Sequence, residues 1–320
     1  LLFLFTLLMG TILSVSSSSW AGAWVGLELN LLSFIPLISS KSNQYSSESA
    51  LKYFLIQALG SSIIILSASF FLMSMSSASL FLITSLLLKA GAAPFHFWFP
   101  SVMEGLNWPQ AVTLMTLQKV APMSLMSYTL SYSPSFLITG SILLSALVGA
   151  IGGLNQTFLR SIMAYSSINH MAWMLSAIML SEMTWVVYFM IYSLVSSSLA
   201  FLFFNNQSFH ISHIMNHSSY SQTLKILTFA SLLSLGGLPP FTGFIAKWFI
   251  IQELVFNKMF ITLLILLLSA LVTLFYYLRV SMTSMMLSSP KSKWSKPSNL
   301  TSSLFIPLLI FTNSVGILIP

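Results

Sequence analysis

The sequence contains no cysteine and no aspartate, and only 5% of its 320 residues carry a charge. Without cysteine the chain forms no disulfide, no iron–sulfur cluster and no thiolate metal site, although this leaves the redox compartment open. With glutamate as the only acidic side chain, five in all, an acidic metal site is also disfavoured. The charged fraction is far below the value of about a quarter that soluble domains carry, which excludes an ordinary soluble protein.

Hydrophobic residues make up 56% of the chain and occur in long runs. Runs of about 20 apolar residues cross a bilayer as helices, whereas a barrel would show alternating segments of roughly ten residues. The fold class predicted is therefore an all-α polytopic membrane protein, a single transmembrane domain over residues 1–320 with about 11 transmembrane helices. The predicted spans are 1–20, 21–40, 51–75, 78–98, 109–131, 136–154, 158–180, 182–204, 222–256, 259–284 and 302–319.

The basic residues test this number of spans. With 11 spans the loops alternate between the two sides of the membrane, and the side opposite the N-terminus receives only Lys258. The positive-inside rule then places the N-terminal side in the cytoplasm or its organelle equivalent, so the net charge of +7 reflects topology, not nucleic-acid binding. The N-terminal side receives Lys41, Lys52, Arg160, Lys225, Arg279, Lys291, Lys293 and Lys296.

Four charged residues lie well inside predicted spans: Glu28, Lys89, Lys119 and Lys247. Lys89 and Lys119 lie about 15 Å from either end of their helices at 1.5 Å per residue, beyond the reach of a snorkelling side chain. A charge at the bilayer centre costs at least about 2.5–3.5 kcal/mol. Such residues must be paired, hydrated or neutral for much of the time.

Two interpretations remain open for these charges. In the first, Glu28 and one lysine form a buried ion pair that only locks helices together. In the second, the buried groups exchange protons along a relay. The single glutamate leaves two lysines unmatched, which favours the relay. Charges near the span ends are interpreted as interface or loop residues: Glu48, Lys52, Glu104, Glu182, Glu253 and Lys258.

The histidines divide into three groups. His170 lies mid-span, with Ser166 and Ser167 four and three positions earlier on the same helix face, which favours a relay role over that of a structural donor. His96 lies close to a span end and is a second candidate. A metal site is disfavoured for the cluster at His210, His213 and His217, which has no neighbouring carboxylate or thiol.

Two spans contain helix-breaking residues beside a lysine. In "KAGAAPFHFW" (89–98) and "GGLPPFTGF" (236–244), glycine precedes a Pro-Phe pair, and proline interrupts a helix while glycine permits the bend. The two spans are predicted to run in opposite directions, which is typical of an inverted repeat. The first repeat covers about 21–154 with broken helix 78–98, the second about 158–284 with broken helix 222–256, and 302–319 is a final helix. The helix breaks are assigned to Gly91, Pro94, Gly236, Gly237, Pro239 and Pro240.

Four segments carry a resemblance that extends over essentially the whole chain: "WVGLELNLLSFIPLI", "LLLKAGAAPFHFWFP", "GAIGGLNQTFLRSIMAYSSINHMAWM" and "LSLGGLPPFTGFIAKW". With its spans and broken helices, the sequence resembles the antiporter-like membrane subunits of respiratory complex I, the NADH-ubiquinone oxidoreductase. That family is similar to subunits of cation/proton antiporters. It pumps protons without a redox centre of its own.

The resemblance implies a role for each buried group. Glu28 matches the membrane glutamate, Lys89 its partner lysine on the first broken helix, and Lys119 the central lysine. His170 matches the histidine of the central hydrophilic axis, and Lys247 the terminal lysine on the second broken helix. No cofactor is expected in this chain, since NADH, FMN, iron–sulfur clusters and ubiquinone are used by the complex as a whole.

The resemblance also implies a place in the cell. It indicates the mitochondrial inner membrane, with the N-terminus and the basic loops on the matrix side. The partners implied are other membrane-arm subunits, including neighbouring antiporter-like and small core chains, together with lipids. Nucleic acid is not among them.

The mechanism hypothesised is a proton relay driven from outside the chain. Glu28 attracts the Lys89 ammonium; when that attraction changes, the proton moves toward Lys119, and His170 carries the line on to Lys247. Two alternatives stay open: a structural or assembly subunit whose buried charges serve packing alone, and a cation/proton antiporter subunit. The antiporter alternative is disfavoured because the spans contain a single carboxylate, which makes a poor cation site.

Overall fold

The structure is a computed structural model that describes residues 2–39, 43–73, 77–130, 135–216 and 222–286. The predicted span 302–319 and the loop lysines Lys41, Lys291, Lys293 and Lys296 lie outside these residues, as does His217. The described part consists of helices α1 (Leu2–Ser16), α2 (Trp20–Ile38), α3 (Gln44–Leu72), α4 (Ala78–Ala90), α5 (Trp98–Gly105), α6 (Trp108–Met115), α7 (Leu117–Thr129), α8 (Ser135–Gly153), α9 (Leu159–Leu180), α10 (Glu182–Asn205), α11 (Ile211–Asn216), α12 (Gln222–Gly236), α13 (Thr242–Phe256) and α14 (Phe260–Met286).

Five of the described helices are long and apolar enough to cross a membrane by themselves. They are Trp20–Ile38, Gln44–Leu72, Ser135–Gly153, Glu182–Asn205 and Phe260–Thr283. Shorter apolar helices cover Leu2–Ser16, Ala78–Ala90 and Lys225–Gly236. The chain is thus a multi-pass helical membrane protein, in which further short apolar helices accompany the five long ones in the described part of the chain.

The segment predicted as one span over 109–131 is divided. α6 ends at Met115 and α7 begins at Leu117, because Thr116 leaves the helical conformation with φ −113° and ψ −80°. Pro122 inside α7 has no N–H to donate to the carbonyl of Gln118, four residues earlier. The Thr116 hydroxyl and the Thr116 N–H both donate to the Val112 carbonyl, at 2.7 and 2.9 Å. This interruption directly precedes Lys119.

Small residues allow neighbouring helices to approach closely. A Cβ atom on Gly26 of α2 would lie 2.8 Å from the Gly10 carbonyl oxygen of α1, and one on Gly149 of α8 would lie 2.9 Å from Asn169 Cα of α9. In lipid, helix association depends on such backbone contact, since burying apolar side chains brings little advantage over leaving them in acyl chains. These contacts hold the helices that carry Glu28 and His170 in place.

The buried apolar side chains form two clusters stacked along the helix axes. α2 contributes Ala23 and Leu27 to the first and Leu31 and Phe34 to the second. α9 contributes its N-terminal half, up to Ile168, to the second cluster and its C-terminal half, from Met171, to the first. The segment α4–α5 passes from the first cluster to the second, and α12–α13 passes in the opposite direction.

Basic residues lie at the outer end of the second cluster. Lys52 of α3, Arg160 of α9, Lys225 of α12 and Arg279 of α14 belong to helix turns at that end, which we call the basic face. Lys258 follows α13, whose Leu254 belongs to the first cluster, and therefore lies at the opposite face. In the described part of the chain, four basic side chains therefore lie at the basic face and one lies at the opposite face.

Candidate functional site

Four buried polar residues and the half-buried Glu28 lie at the level where the two apolar clusters meet. Glu28 stands between Leu27 and Leu31 on α2, and His170 stands between Ile168 and Met171 on α9. Lys119 follows Met115 of the second cluster and precedes Ala121 of the first. Lys89 and Lys247 adjoin members of the first cluster, Ala90 and Ala246. We call Glu28, Lys89, Lys119, His170 and Lys247 the polar seam.

The two helix interruptions lie at the same level. α4 ends at Ala90, and Gly91 adopts the left-handed conformation with φ 72°, which a residue with a Cβ atom avoids. Side chains donate to the last carbonyls of α4: Trp98 Nε1 donates to the Leu88 oxygen at 3.1 Å, and Gln57 Nε2 to the Lys89 oxygen at 3.3 Å. α12 ends at Gly236, and Gly237 has φ 80°.

Lys89 is 5% exposed and packs over Gly60 of α3, where a Cβ atom would lie 2.9 Å from Lys89 Cγ. Glu28 acts electrostatically on Lys89. Within the described ranges, however, the only ion pair closer than 4.0 Å joins Lys52 and Glu48 on the surface of α3. Glu28 Oε2 is buried and has no hydrogen-bond partner there. Glu28 and Lys89 therefore attract one another across a gap.

Lys119 is 2% exposed and reaches toward α9. Its Nζ donates to the Ser167 carbonyl oxygen at 3.3 Å. The same Nζ lies 5.1 Å from the ring centroid of Phe99 and 5.4 Å from that of Tyr192. Aromatic faces stabilise a cation without neutralising it, so this pocket holds a charge that has no carboxylate beside it.

His170 is 6% exposed and contacts two tyrosines of α10. Its Nδ1 lies 2.7 Å from the Tyr188 hydroxyl, and its ring centroid lies 4.9 Å from that of Tyr192. Tyr192 also faces Lys119, whose Nζ lies 5.4 Å from the same ring, so His170 and Lys119 share one aromatic neighbour.

Lys247 is 5% exposed and folds back onto the second interruption. Its Nζ donates to the Gly236 carbonyl oxygen at 2.8 Å, which places the cation on the negative end of the α12 dipole. The same Nζ lies 5.8 Å from the Trp173 ring centroid. A Cβ atom on Gly237 would lie 2.9 Å from Lys247 Cδ, so the glycine leaves the room that the lysine occupies.

The other histidines lie in different settings. His96 Nδ1 lies 3.2 Å from the Pro94 carbonyl oxygen, within the first interruption. His210 and His213 lie with ring centroids 6.3 Å apart near the basic face. In the described residues no group of three or more His, Cys, Asp or Glu side chains could hold a metal ion.

Sequence reasoning missed the neutral residues that connect the seam. Gln118 Nε2 donates to Asn30 Oδ1 at 2.8 Å, and Tyr53 donates to Gln118 Oε1 at 3.1 Å, which joins α2, α3 and α7 beside Lys119. Tyr188 and Tyr192, four residues apart on α10, both face His170. Their spacing on one helix face was the only signal in the sequence.

This arrangement is suited to moving charge. Three buried lysines and a buried histidine have aromatic, hydroxyl and backbone partners, while Glu28 makes no direct ion pair with any of the lysines. A lock of ion pairs would require direct contact between opposite charges. Buried titratable groups that lie near one another are typical of functional sites.

Fold and site together define an antiporter-like membrane protein. The family model described as "NADH:quinone oxidoreductase/Mrp antiporter, TM" matches residues 17–79 and 72–273. A chain of respiratory complex I from Thermus thermophilus superposes with a TM-score of 0.84 at 24% identity, covering 99% of this chain and 77% of the other. At that identity the likeness shows the shared fold alone.

Curated relatives narrow the family. NADH-ubiquinone oxidoreductase chain 2 of Anopheles gambiae is 49% identical over 321 residues, 97% of this chain and 93% of the relative. The protein of the same name from Aedes aegypti is 47% identical over 326 residues, 99% of this chain and 94% of the relative. The chain therefore belongs to the NADH-ubiquinone oxidoreductase chain 2 family.

Proposed function

We propose that this chain is a proton-translocating core membrane subunit of an NADH:ubiquinone oxidoreductase, respiratory complex I. It performs no redox chemistry and holds no cofactor; electron transfer in other subunits supplies the energy. The observation that carries the proposal is that α9 brings two buried lysines together on either side of His170 in the chain: Lys119 Nζ donates to the Ser167 carbonyl at 3.3 Å, and Lys247 Nζ lies 5.8 Å from the Trp173 ring centroid. In this role the chain is part of a translocating enzyme.

The proposed path begins at the pair Glu28 and Lys89. A change in their attraction releases a proton from Lys89 toward Lys119, whose ammonium lies beside Ser167 on the helix that carries His170. From His170 the proton reaches Lys247, and repulsion between neighbouring ammonium groups expels it. His96, at the first interruption, is a further candidate for a proton-carrying group.

The topology proposed has 11 transmembrane helices, with 302–319 as the last. Residues 21–154 and 158–284 form inverted repeats, each with one broken helix. The opposite directions of α4–α5 and α12–α13 between the two clusters support this arrangement. The basic face lies in the matrix by the positive-inside rule, the membrane is the mitochondrial inner membrane, and the partners are lipids and other membrane-arm chains, including antiporter-like and small core subunits.

The test is the substitution Lys119→Met in the assembled complex, which keeps the length of the side chain and removes its charge. We expect NADH-driven proton pumping to fall at least tenfold while the amount of assembled complex stays normal. Lys52→Met is the matched control, since Lys52 lies on the surface in an exposed ion pair with Glu48. Normal pumping by the Lys119→Met complex would instead assign the buried lysine to packing.

A further inference from the structure

α3 is an unbroken helix that lies beside two interrupted segments. It runs from Gln44 to Leu72 and contains no proline. By contrast, α4 ends one residue after Lys89, and α7 begins two residues before Lys119. A residue beside a helix end has intrahelical backbone hydrogen bonds on one side only. Contacts from neighbouring helices therefore determine where the two lysines lie.

One face of α3 contacts the segment that carries Lys89. Gln57 Nε2 donates to the Lys89 carbonyl oxygen at 3.3 Å. Gly60 leaves the room that the lysine side chain occupies, since a Cβ atom there would lie 2.9 Å from Lys89 Cγ and 3.2 Å from Lys89 Cε. α3 thus holds both the backbone and the side chain of Lys89.

The same helix contacts the residue before Lys119. The Tyr53 hydroxyl donates to Gln118 Oε1 at 3.1 Å, and Gln118 Nε2 donates to Asn30 Oδ1 of α2 at 2.8 Å. The Tyr53 ring is 2% exposed and its centroid lies 5.9 Å from that of Trp98, so the position of its hydroxyl is fixed by packing. Because both ends of the Gln118 amide are bound, the first turn of α7 is held in one orientation.

The three residues of α3 that make these contacts share one face of the helix. Tyr53, Gln57 and Gly60 occupy positions i, i+4 and i+7, and we call them the α3 stripe. Tyr53 and Gln57 are four residues apart, about 6 Å along the axis. The stripe therefore sets the interval along α3 between the Lys89 backbone and the residue before Lys119.

The chemistry of the α3 stripe indicates more than helix packing. A buried amide or phenol costs free energy unless it is hydrogen-bonded, and Gln57 and Tyr53 are 5% and 2% exposed. Apolar side chains would pack α3 against its neighbours without that cost. Hydrogen bonds, unlike apolar contacts, have a preferred direction as well as a preferred length. The two polar side chains therefore fix the orientation of the segments they bind.

We propose that the α3 stripe positions Lys89 and Lys119 relative to one another, and that Tyr53 acts on Lys119 through Gln118. This inference rests on the proposed function and adds to it the residues that set the separation of two buried lysines. Tyr53, Gln57 and Gln118 are positioning residues and do not themselves bind the transferred proton. Removal of the Tyr53 hydroxyl frees the Gln118 amide, so that Lys119 Nζ loses its fixed position at the Ser167 carbonyl.

The first test uses Tyr53→Phe and Gln118→Met in the assembled complex. Tyr53→Phe removes the hydroxyl and keeps the ring, and Gln118→Met keeps the length of the side chain and removes the amide. We expect each to lower the rate of proton pumping per assembled complex about three- to tenfold, as the loss of one hydrogen bond predicts, with a normal amount of assembled complex. Tyr128→Phe is the matched control, since Tyr128 is 49% exposed near the other end of α7. Pumping by Tyr53→Phe at the rate of this control would overturn the proposal.

The double variant Tyr53→Phe/Gln118→Met separates positioning through Gln118 from a general effect on packing. If Tyr53 acts through Gln118, the double variant pumps at the same rate as Gln118→Met alone, because the hydroxyl has already lost its partner. If the two single effects multiply instead, Tyr53 acts by another route and the proposal is wrong.

Gly60→Ala tests the other end of the stripe. The added Cβ atom displaces the Lys89 side chain and leaves the bond between Tyr53 and Gln118 untouched. We expect a severalfold lower rate of pumping per assembled complex. Gly140→Ala on α8 is the control, since nothing lies within 4 Å of its added Cβ atom. Equal rates for the two alanine variants would contradict a positioning role of α3 at Lys89.

Two further measurements separate this inference from the proposed function. If Lys119→Met lowers pumping while Tyr53→Phe and Gln118→Met pump normally, the positioning role is wrong and the function stands; if Lys119→Met pumps normally, the function itself is wrong. A cryo-EM map of the unaltered complex adds a readout that does not depend on variant assembly. Hydrogen-bond distances from Tyr53 to Gln118 and from Gln57 to the Lys89 carbonyl support the proposal, and separation of either pair overturns it.

Discussion

At the scale of single residues, the sequence is most informative about charge. Counting about ten residues from either end of an apolar run predicted that Lys89 and Lys119 are withdrawn from solvent, and both are buried, 5% and 2% exposed. The unbroken helices assumed in that count are not present, since Lys89 lies in the last turn of α4 and Lys119 in the first turn of α7. Counting along the chain did not predict which residues contact those lysines. That Lys247 Nζ binds the Gly236 carbonyl, and that Tyr192 lies between Lys119 and His170, depends on contacts between residues distant in the chain.

Glu28→Gln tests the attraction at one end of the seam. The amide keeps the shape of the side chain and removes the charge that acts on Lys89. An attraction between unit charges in a partly buried site is worth on the order of 1–4 kcal/mol, and each loss of about 1.4 kcal/mol slows a step tenfold. We expect the pumping rate, measured as vesicle acidification during NADH oxidation, to fall about tenfold. Pumping at the normal rate would show that Lys89 does not depend on Glu28.

Gly237→Ala tests the space that the second interruption gives to Lys247. A residue with a Cβ atom in the left-handed conformation is strained by about 1–2 kcal/mol, and the new atom would lie 2.9 Å from Lys247 Cδ. We expect the free energy of unfolding of the assembled membrane arm to fall by about 1–3 kcal/mol. We also expect a lower rate of proton pumping. Gly140→Ala on α8 is the control, since nothing lies within 4 Å of its added Cβ atom. Equal effects of the two changes would contradict the explanation.

At the scale of helices, composition alone indicated long apolar segments, but not how each is subdivided. Glycine and proline signalled two interruptions, at Gly91 with Pro94 and at Gly237 with Pro239. Helices α4 and α12 end beside these residues. The interruption at Thr116 had no such signal: Pro122 lies six residues later, and threonine is an ordinary helix residue. The conformation there depends on how α6 and α7 pack, which a local pattern does not encode.

Gly26→Ala tests the contact between α1 and α2. The added Cβ atom would lie 2.8 Å from the Gly10 carbonyl oxygen, a backbone atom that moves only if the helices separate. Overpacking of this kind costs about 1–3 kcal/mol, and it shifts Glu28, two residues later, relative to Lys89. We expect less assembled complex on native gels and a lower unfolding temperature. Gly22→Ala on the same helix is the control: its Cβ atom would meet the Ser17 side chain at 3.0 Å near the helix end, where a side chain can move. A Gly26→Ala complex as stable as the Gly22→Ala complex would show that the helices are not tightly joined there.

At the scale of the whole molecule, the separation of charge between two faces determines how the chain crosses the membrane. The absence of cysteine makes this testable, because a single introduced cysteine is the only thiol in the chain. Ser47 is exposed on the basic face at the start of α3, and Asn257 is exposed beside Lys258 at the opposite face. We expect Ser47→Cys to react with a membrane-impermeant maleimide only in inside-out vesicles, and Asn257→Cys only in right-side-out mitoplasts. Mass spectrometry of this chain identifies the labelled site against the cysteines of other subunits. Labelling of both variants from the same side would refute the two-faced arrangement, and with it the opposite directions of the two interrupted segments on which the proposed relay depends.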